Sequence, residues 1–232
     1  MAQEGVRSTT SSPVEAPPGW DDQQRVDAYL ERVDRLEPRL AGEAALRGLL
    51  PPDPTSVLDL GCGDGRLAAL VIESRPSVTR AVGVDASPAM LDRARSRFSE
   101  PGAPRVDELD IRRGDLADHI GPLGRFDLVV SGFAIHHLED ARKRELFAEV
   151  ADVLEPGGLF ANLEIVSSPT PELHAEFLAA IGRGADDPED RLAAVDDQLR
   201  WMAEAGLVDV GCRWRWKGMA LLVGRRSAGA TA

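Results

Sequence analysis

Apolar residues recur along this chain in two rhythms, one of three to four residues and one of short unbroken runs. Between Trp20 and Leu50, the positions Val26, Tyr29, Leu30, Val33, Leu36 and Leu40 trace one apolar helix face. Pro38 interrupts that face, because an internal proline removes a donor and crowds the preceding turn, so two helical pieces are predicted. After the Pro-Pro-Asp-Pro run at 51–54, the run Ser56–Leu60 predicts a buried strand. A helix over Arg66–Ser74, a strand over Arg80–Val84 and a helix opening at Ser87-Pro88 follow; proline is tolerated in a first turn. Further strands are predicted near Asp107–Arg113, at Phe126–Ser131 and at Leu159–Val166, with a helix over Asp140–Leu154 before the last.

Beyond Pro171 the rhythm changes. A helix over Glu172–Ile181, an acidic loop and a helix over Leu192–Ala205 precede two strand-like runs, Val208–Trp216 and Met219–Val223, joined by a tight turn at Lys217-Gly218. Two-residue alternation would put Cys212, Trp214 and Trp216 on one strand face. Strands alternating with helices imply an α/β fold, a mostly parallel sheet with helices on both faces, ending in an antiparallel pair.

Bulk properties narrow the functional classes. The 232 residues suit one α/β domain, and the net charge of −12 disfavours a partner such as DNA that is gripped through its phosphates. Cys62 and Cys212 have no paired spacing that would suggest a disulfide framework or a cysteine zinc site. No apolar run reaches the roughly 20 residues of a bilayer span, and the polar start lacks the apolar core of a secretory signal. The expectation is a cytoplasmic protein with no membrane partner.

Four strand ends carry the candidate chemistry. Val57-Leu58-Asp59-Leu60 runs into Gly61-Cys62-Gly63-Asp64-Gly65 and then a helix; glycines there permit positive φ and close approach of a ligand. Glycine turns alone also serve dinucleotides, but an anionic pyrophosphate is a poor neighbour for Asp59 and Asp64, whereas a sulfonium and an α-amino group are good ones. Asp85 ends the second strand, where an acid can accept both hydroxyls of a ribose. Asp115 in Gly114-Asp115-Leu116 can accept from an adenine amine, and Ser131 closes the fourth strand at the same rim. Asp59 and Asp85 could instead cap the helices that follow them, and Asp115 a short turn.

With DLGCGDG, VGVDASPAML, GDL, FDLVVSGFAIHHL and LEPGGLF in this order, the chain resembles the class I S-adenosylmethionine-dependent methyltransferase superfamily, particularly its small-molecule members, from about Val57 to Val223. The resemblance implies a Rossmann-like seven-stranded sheet of order 3-2-1-4-5-7-6 with strand 7 antiparallel. It divides the chain into a disordered tail (1–18), an N-terminal helical cap (19–50), a methyltransferase domain (51–226, with acceptor-side helices at 167–206) and a second tail (227–232). S-adenosyl-L-methionine is the implied cofactor, its methionine end at Asp59, Gly61, Cys62, Gly63 and Gly65, its ribose at Asp85, its adenine at Asp115. Ala86, Met90, Leu116 and Ser131 complete the implied contact set, although a methionine at the place of Met90 is more often core than cofactor contact.

Methyl transfer from sulfonium is an in-line displacement that needs alignment and, for some acceptors, a base. His136 is the favoured base, since a neutral imidazole can take a proton near neutrality, and His137 is read as orienting the loop. Glu164 shares a strand face with Phe160, Asn162 and Val166, and could bind a substrate amine or proton, or pair with Arg191. The segment 167–198, with His174, Phe177, Arg183 and acids at 186–190, falls where the acceptor pocket is expected. No cluster has metal-ligand spacing, so a metal-independent enzyme is expected. The expected reaction is methylation of an O, N or C atom of a small molecule, with specialised metabolism as one setting and a monomer or homodimer as the assembly. Methylation of tRNA or protein, and a non-catalytic cofactor-binding module, stay open.

Overall fold

A computed structural model describes Trp20 and residues 22–229; the tail expected over 1–18, and positions 230–232 of the second tail, lie outside the described residues. The strands are β1 (Ser56–Leu60), β2 (Arg80–Asp85), β3 (Glu108–Arg113), β4 (Phe126–Gly132), β5 (Leu154–Ile165), β6 (Leu207–Trp216) and β7 (Met219–Arg226). They form one seven-stranded sheet of order β3-β2-β1-β4-β5-β7-β6. β1 to β5 pair in parallel, and β7 runs antiparallel to both β5 and β6. The helices are α1 (Gln23–Val33), α2 (Glu37–Leu49), α3 (Arg66–Ser74), α4 (Pro88–Ser99), α5 (Asp140–Val153), α6 (Pro171–Ala180) and α7 (Val195–Glu204).

Alternation across the strands divides the apolar side chains into two layers. Leu58, Leu60, Val82, Val84, Val129 and Phe160 meet Leu146, Phe147 and Val150 of α5 and Trp201 and Met202 of α7 on one face. On the other, Val57, Ala81, Leu128, Val130, Ala161 and Leu163 meet Leu46 of α2 and Leu67, Leu70 and Val71 of α3. With β2 on one side of β1 and β4 on the other, the strand order reverses between β1 and β4. Such a switch point opens a crevice at the carboxyl ends of the strands.

Three local expectations are corrected. The helix break falls at 34–36, before Pro38, which sits in the first turn of α2, where its missing N–H costs nothing. β5 begins at Leu154 instead of Leu159, with a register shift opposite Phe126/Leu128. β6 carries an irregularity between Cys212 and Trp214, and an inserted residue reverses the alternation. Cys212 therefore packs on the α5/α7 layer and Trp214 on the α2/α3 layer, so the face expected for Cys212, Trp214 and Trp216 is split.

Candidate functional site

The crevice at the switch point encloses about 380 Å³ and is floored by the turn after β1. Gly61, Gly63 and Gly65 all have positive φ, at 64°, 51° and 77°. A Cβ on Gly61 would stand 2.2 Å from the Cβ of Ala134, so the turn and the loop after β4 approach in a way that only glycine permits. Cys62 donates its N–H to Val84 O (3.0 Å), which ties the turn to β2, and burial pushes its thiol well above the ordinary range. Cys62 also lines the crevice, as a small residue whose thiol stays protonated.

Three carboxylates surround the turn in different states. Asp59 is buried; its Oδ2 accepts the Ala68 N–H of α3 (3.0 Å), while its Oδ1 has no partner. Burial, reinforced by Asp85 and Asp64, raises its pKa to about 7 against the pull of that N–H. Asp85 accepts Gly63 N–H (2.8 Å) and Ser87 N–H (2.9 Å), joining the turn to the start of α4, and burial raises its pKa. Asp64 is paired with Arg97. Both Asp59 and Asp85 thus hold local backbone, as capping would have it, and both also line the crevice. Exposed Asp115 closes a turn onto Ala117 N–H (2.9 Å) and lines the crevice with Ala86, Met90 and Leu116.

Two expected contacts lie elsewhere. Ser131 is fully buried and donates its hydroxyl to Leu60 O (2.8 Å), a link between β4 and β1 that leaves it off the crevice wall. Gly65 is the left-handed residue before α3, and a Cβ there would sit 2.9 Å from Phe98; its glycine serves packing.

The loop after β4 turns as a short 3₁₀ helix, Ile135–His137, that carries both histidines with their ring centres 4.0 Å apart. Buried His136 is held by Glu164, which accepts its backbone N–H (3.0 Å) and meets its Nδ1 at 2.6 Å. Its Nε2 faces Asp190 Oδ1 at 3.4 Å. Burial would lower the His136 pKa, but the two carboxylates outweigh it and raise it to about 9. That raised pKa disfavours the neutral form that the expected base role needs, and His136 does not line the main crevice. Glu164 also accepts Ile165 N–H (2.8 Å); it faces His136, while Arg191 pairs with Glu139. His137 does line the crevice, and burial together with the charge of His136 holds its pKa below the ordinary imidazole value.

A second cavity of about 70 Å³ adjoins the first and shares Trp20, Tyr29, Arg39, Phe133 and His137 with it. Arg183 and Asp190 of the acidic segment reach its wall and pair at 3.3 Å, whereas His174 pairs outward with Asp186 and Phe177 is core. His136, His137 and Asp190 also bring one ligand atom each within 4.8 Å of one another. Glu164 meets His136 Nδ1 and Arg183 meets Asp190 Oδ2, so ion pairs hold the group in place. Arg39, Glu43 and Arg66 escape sequence reading, although charges at 39 and 43 on the same helix face as Leu46 were a usable signal.

The residues present fit a cofactor with a cationic sulfonium and amine. An unpartnered buried carboxylate oxygen at Asp59 awaits a positive or donating group, and the glycine turn leaves room beside it. Comparison with known proteins gives the same direction. A family described as "Methyltransferase domain" matches residues 57–158. An uncharacterized methyltransferase of Mycobacterium bovis is 39% identical over 132 residues, 56% of this chain and 59% of that protein. A trans-aconitate 2-methyltransferase of Azoarcus is 34% identical over 146 residues, 62% of this chain and 50% of its own length. The chain thus spans between half and three fifths of these curated relatives. Among solved structures, an O-methyltransferase family protein from Burkholderia thailandensis superposes with a TM-score of 0.69 at 23% identity, over 90% of this chain and 61% of that one; it shares the fold. Among the described residues, no helix is long and apolar enough to cross a membrane.

Proposed function

We propose that the chain is a class I S-adenosylmethionine-dependent methyltransferase and that it methylates a small molecule with S-adenosyl-L-methionine as donor, supported by the methyltransferase-domain match, the methyltransferase relatives and the shared fold. The observation that carries the cofactor is the buried Asp59 carboxylate with its free Oδ1 beside the glycine turn. When bound, S-adenosylmethionine supplies an electrophilic methyl group on positively charged sulfur. Asp59 would face the cationic methionine end, Asp85 the ribose and Asp115 with Met90 and Leu116 the adenine.

On the acceptor side, we assign proton removal to His137. Its Nδ1 lies 3.4 Å from Glu189 O, and a proton donated there leaves Nε2 free to accept the acceptor's proton. His136 and Glu164 are positioning residues: Glu164 fixes the His136 ring, whose charge adds to burial in lowering the His137 pKa. The second cavity, about 70 Å³, and the net charge of −12 favour a small acceptor over tRNA. A relative named for trans-aconitate supports the same choice. Specialised metabolism and a cytoplasmic location fit this reading.

Calorimetry and a panel of hydroxyl, carboxyl and amine acceptors test it. S-adenosylhomocysteine should bind, and at least one acceptor should yield S-adenosylhomocysteine together with a product about 14 mass units heavier (a methyl group replacing a proton). Tighter binding of NAD(H) than of S-adenosylmethionine would sink the proposal, and binding without turnover on any acceptor would favour a non-catalytic module.

A further inference from the structure

Among the described residues, Arg39 holds the buried cationic nitrogen that has no partner. Its side chain is nine-tenths buried, its Nε donates to Glu43 Oε1 (3.0 Å), and its Nη1 meets no acceptor. Glu43 is itself shared: Arg66 donates to both of its oxygens (2.6 and 2.9 Å) and to Asp34 Oδ1 (2.9 Å). The two guanidinium groups therefore meet two carboxylates, but the Arg66 nitrogens are all engaged and the unused donor falls on Arg39. That guanidinium lies 5.4 Å from the Phe133 ring centre, on the wall common to both cavities.

We propose that Arg39 Nη1 seats a carboxylate of a ligand at the junction of the two cavities. A buried guanidinium donor without an acceptor is unfavourable until a ligand supplies one, and a planar carboxylate matches its geometry. A monoanion suits the place better than a phosphate, because Asp59, Asp64 and Asp85 line the same crevice. The carboxylate comes either from the amino-acid end of the cofactor or from an acidic acceptor. The first source rests on the cofactor reading above; the second stands without it.

Calorimetry on the wild type, Arg39→Gln and Arg39→Lys decides the matter in two arms. One compares S-adenosylhomocysteine with its decarboxylated analogue; the other, run with and without S-adenosylhomocysteine, compares succinate and benzoate with their amides. In one arm the wild type should prefer the carboxylate form by about tenfold or more, the range of a charge-assisted hydrogen bond. Arg39→Gln should abolish that preference and Arg39→Lys restore part of it. The wild-type comparison needs no variant, and Glu43 keeps Arg66 when Arg39 is changed. A loss in the first arm assigns the cofactor, and a loss in the second assigns the acceptor. Equal binding of acid and neutral forms in both arms overturns the proposal while S-adenosylhomocysteine still binds. Failure of the wild type to bind S-adenosylhomocysteine defeats the cofactor reading instead, and the acid arm on the protein alone then decides for or against Arg39.

Discussion

The two walls of the crevice are built by opposite means. The rim around the glycine turn uses short stretches at strand ends, and its acids bond to backbone N–H groups, as Asp59 does to Ala68 and Asp85 to Gly63 and Ser87. The histidine wall is assembled from side chains far apart in sequence. Glu164 of β5 holds His136 of the β4 loop, Asp190 and Arg183 arrive from the segment after α6, and Arg25 of α1 bonds Asp187 and Glu189. A rim fixed by backbone tolerates change elsewhere in the molecule. A wall fixed by side-chain pairs can be rewritten residue by residue, which is how one fold serves many acceptors.

If that division of labour holds, the largest effect is expected at the wall. His137→Gln should lower turnover by about 10²–10⁴-fold with cofactor affinity unchanged, the range for a general base. Single-turnover rates against pH check it: the wild-type rate should fall on the acid side below the ordinary imidazole value, where His137 becomes protonated. Full turnover in the variant would return the wall to a purely structural role.

The next effect belongs to the rim. Gly61→Ala combines a positive φ with the 2.2 Å approach to Ala134 and should cost about 2–4 kcal/mol of stability, read from urea unfolding. Adding Ala134→Gly should recover the part due to the clash and leave the part due to backbone conformation. No recovery would mean that the turn and the loop move independently.

The smallest effect compares two pKa values raised for different reasons. Asp59 is raised by burial to about 7, so the folded state binds its proton more tightly than the unfolded chain, and stability should fall as pH rises from about 3.8 to 7. His136 is raised to about 9 by Glu164 and Asp190, so its contribution is complete below 6.5 and lost as pH rises through 9. Each limb should have the slope of one proton, at most about 1.4 kcal/mol for each pH unit, and relaxation around the charge lowers it. Asp59→Asn should remove the first limb and His136→Gln the second. A limb that survives the substitution of its own group would break the comparison.

What the sequence reveals follows the same line. The order of strands and helices is legible because burial on both sheet faces leaves short apolar runs between amphipathic helices, and the glycine turn is legible because its conformation is local. Asp59 and Asp85 are visible as acids at strand ends. The pairing of His136 with Glu164 and Asp190 is invisible, since nothing near position 136 announces partners 28 and 54 positions further along. The protonation state follows those partners, and this is why the proposed mechanism gives the base role to His137 and the positioning role to His136. Ser131 is misplaced for a related reason: position at a strand end does not say that the hydroxyl bonds across to Leu60. The irregularity in β6 is equally silent, one residue sending Cys212 and Trp214 to opposite layers.

Trp20 borders both cavities, with the Arg25 guanidinium 4.3 Å above its ring and Tyr29 edge-on at 5.2 Å. The other tryptophans, Trp201, Trp214 and Trp216, pack into apolar clusters and border neither cavity. The chain therefore carries its own optical reporter. Replacing those three with phenylalanine would leave one indole whose emission registers the arrival of each ligand in turn, giving association rates without a label.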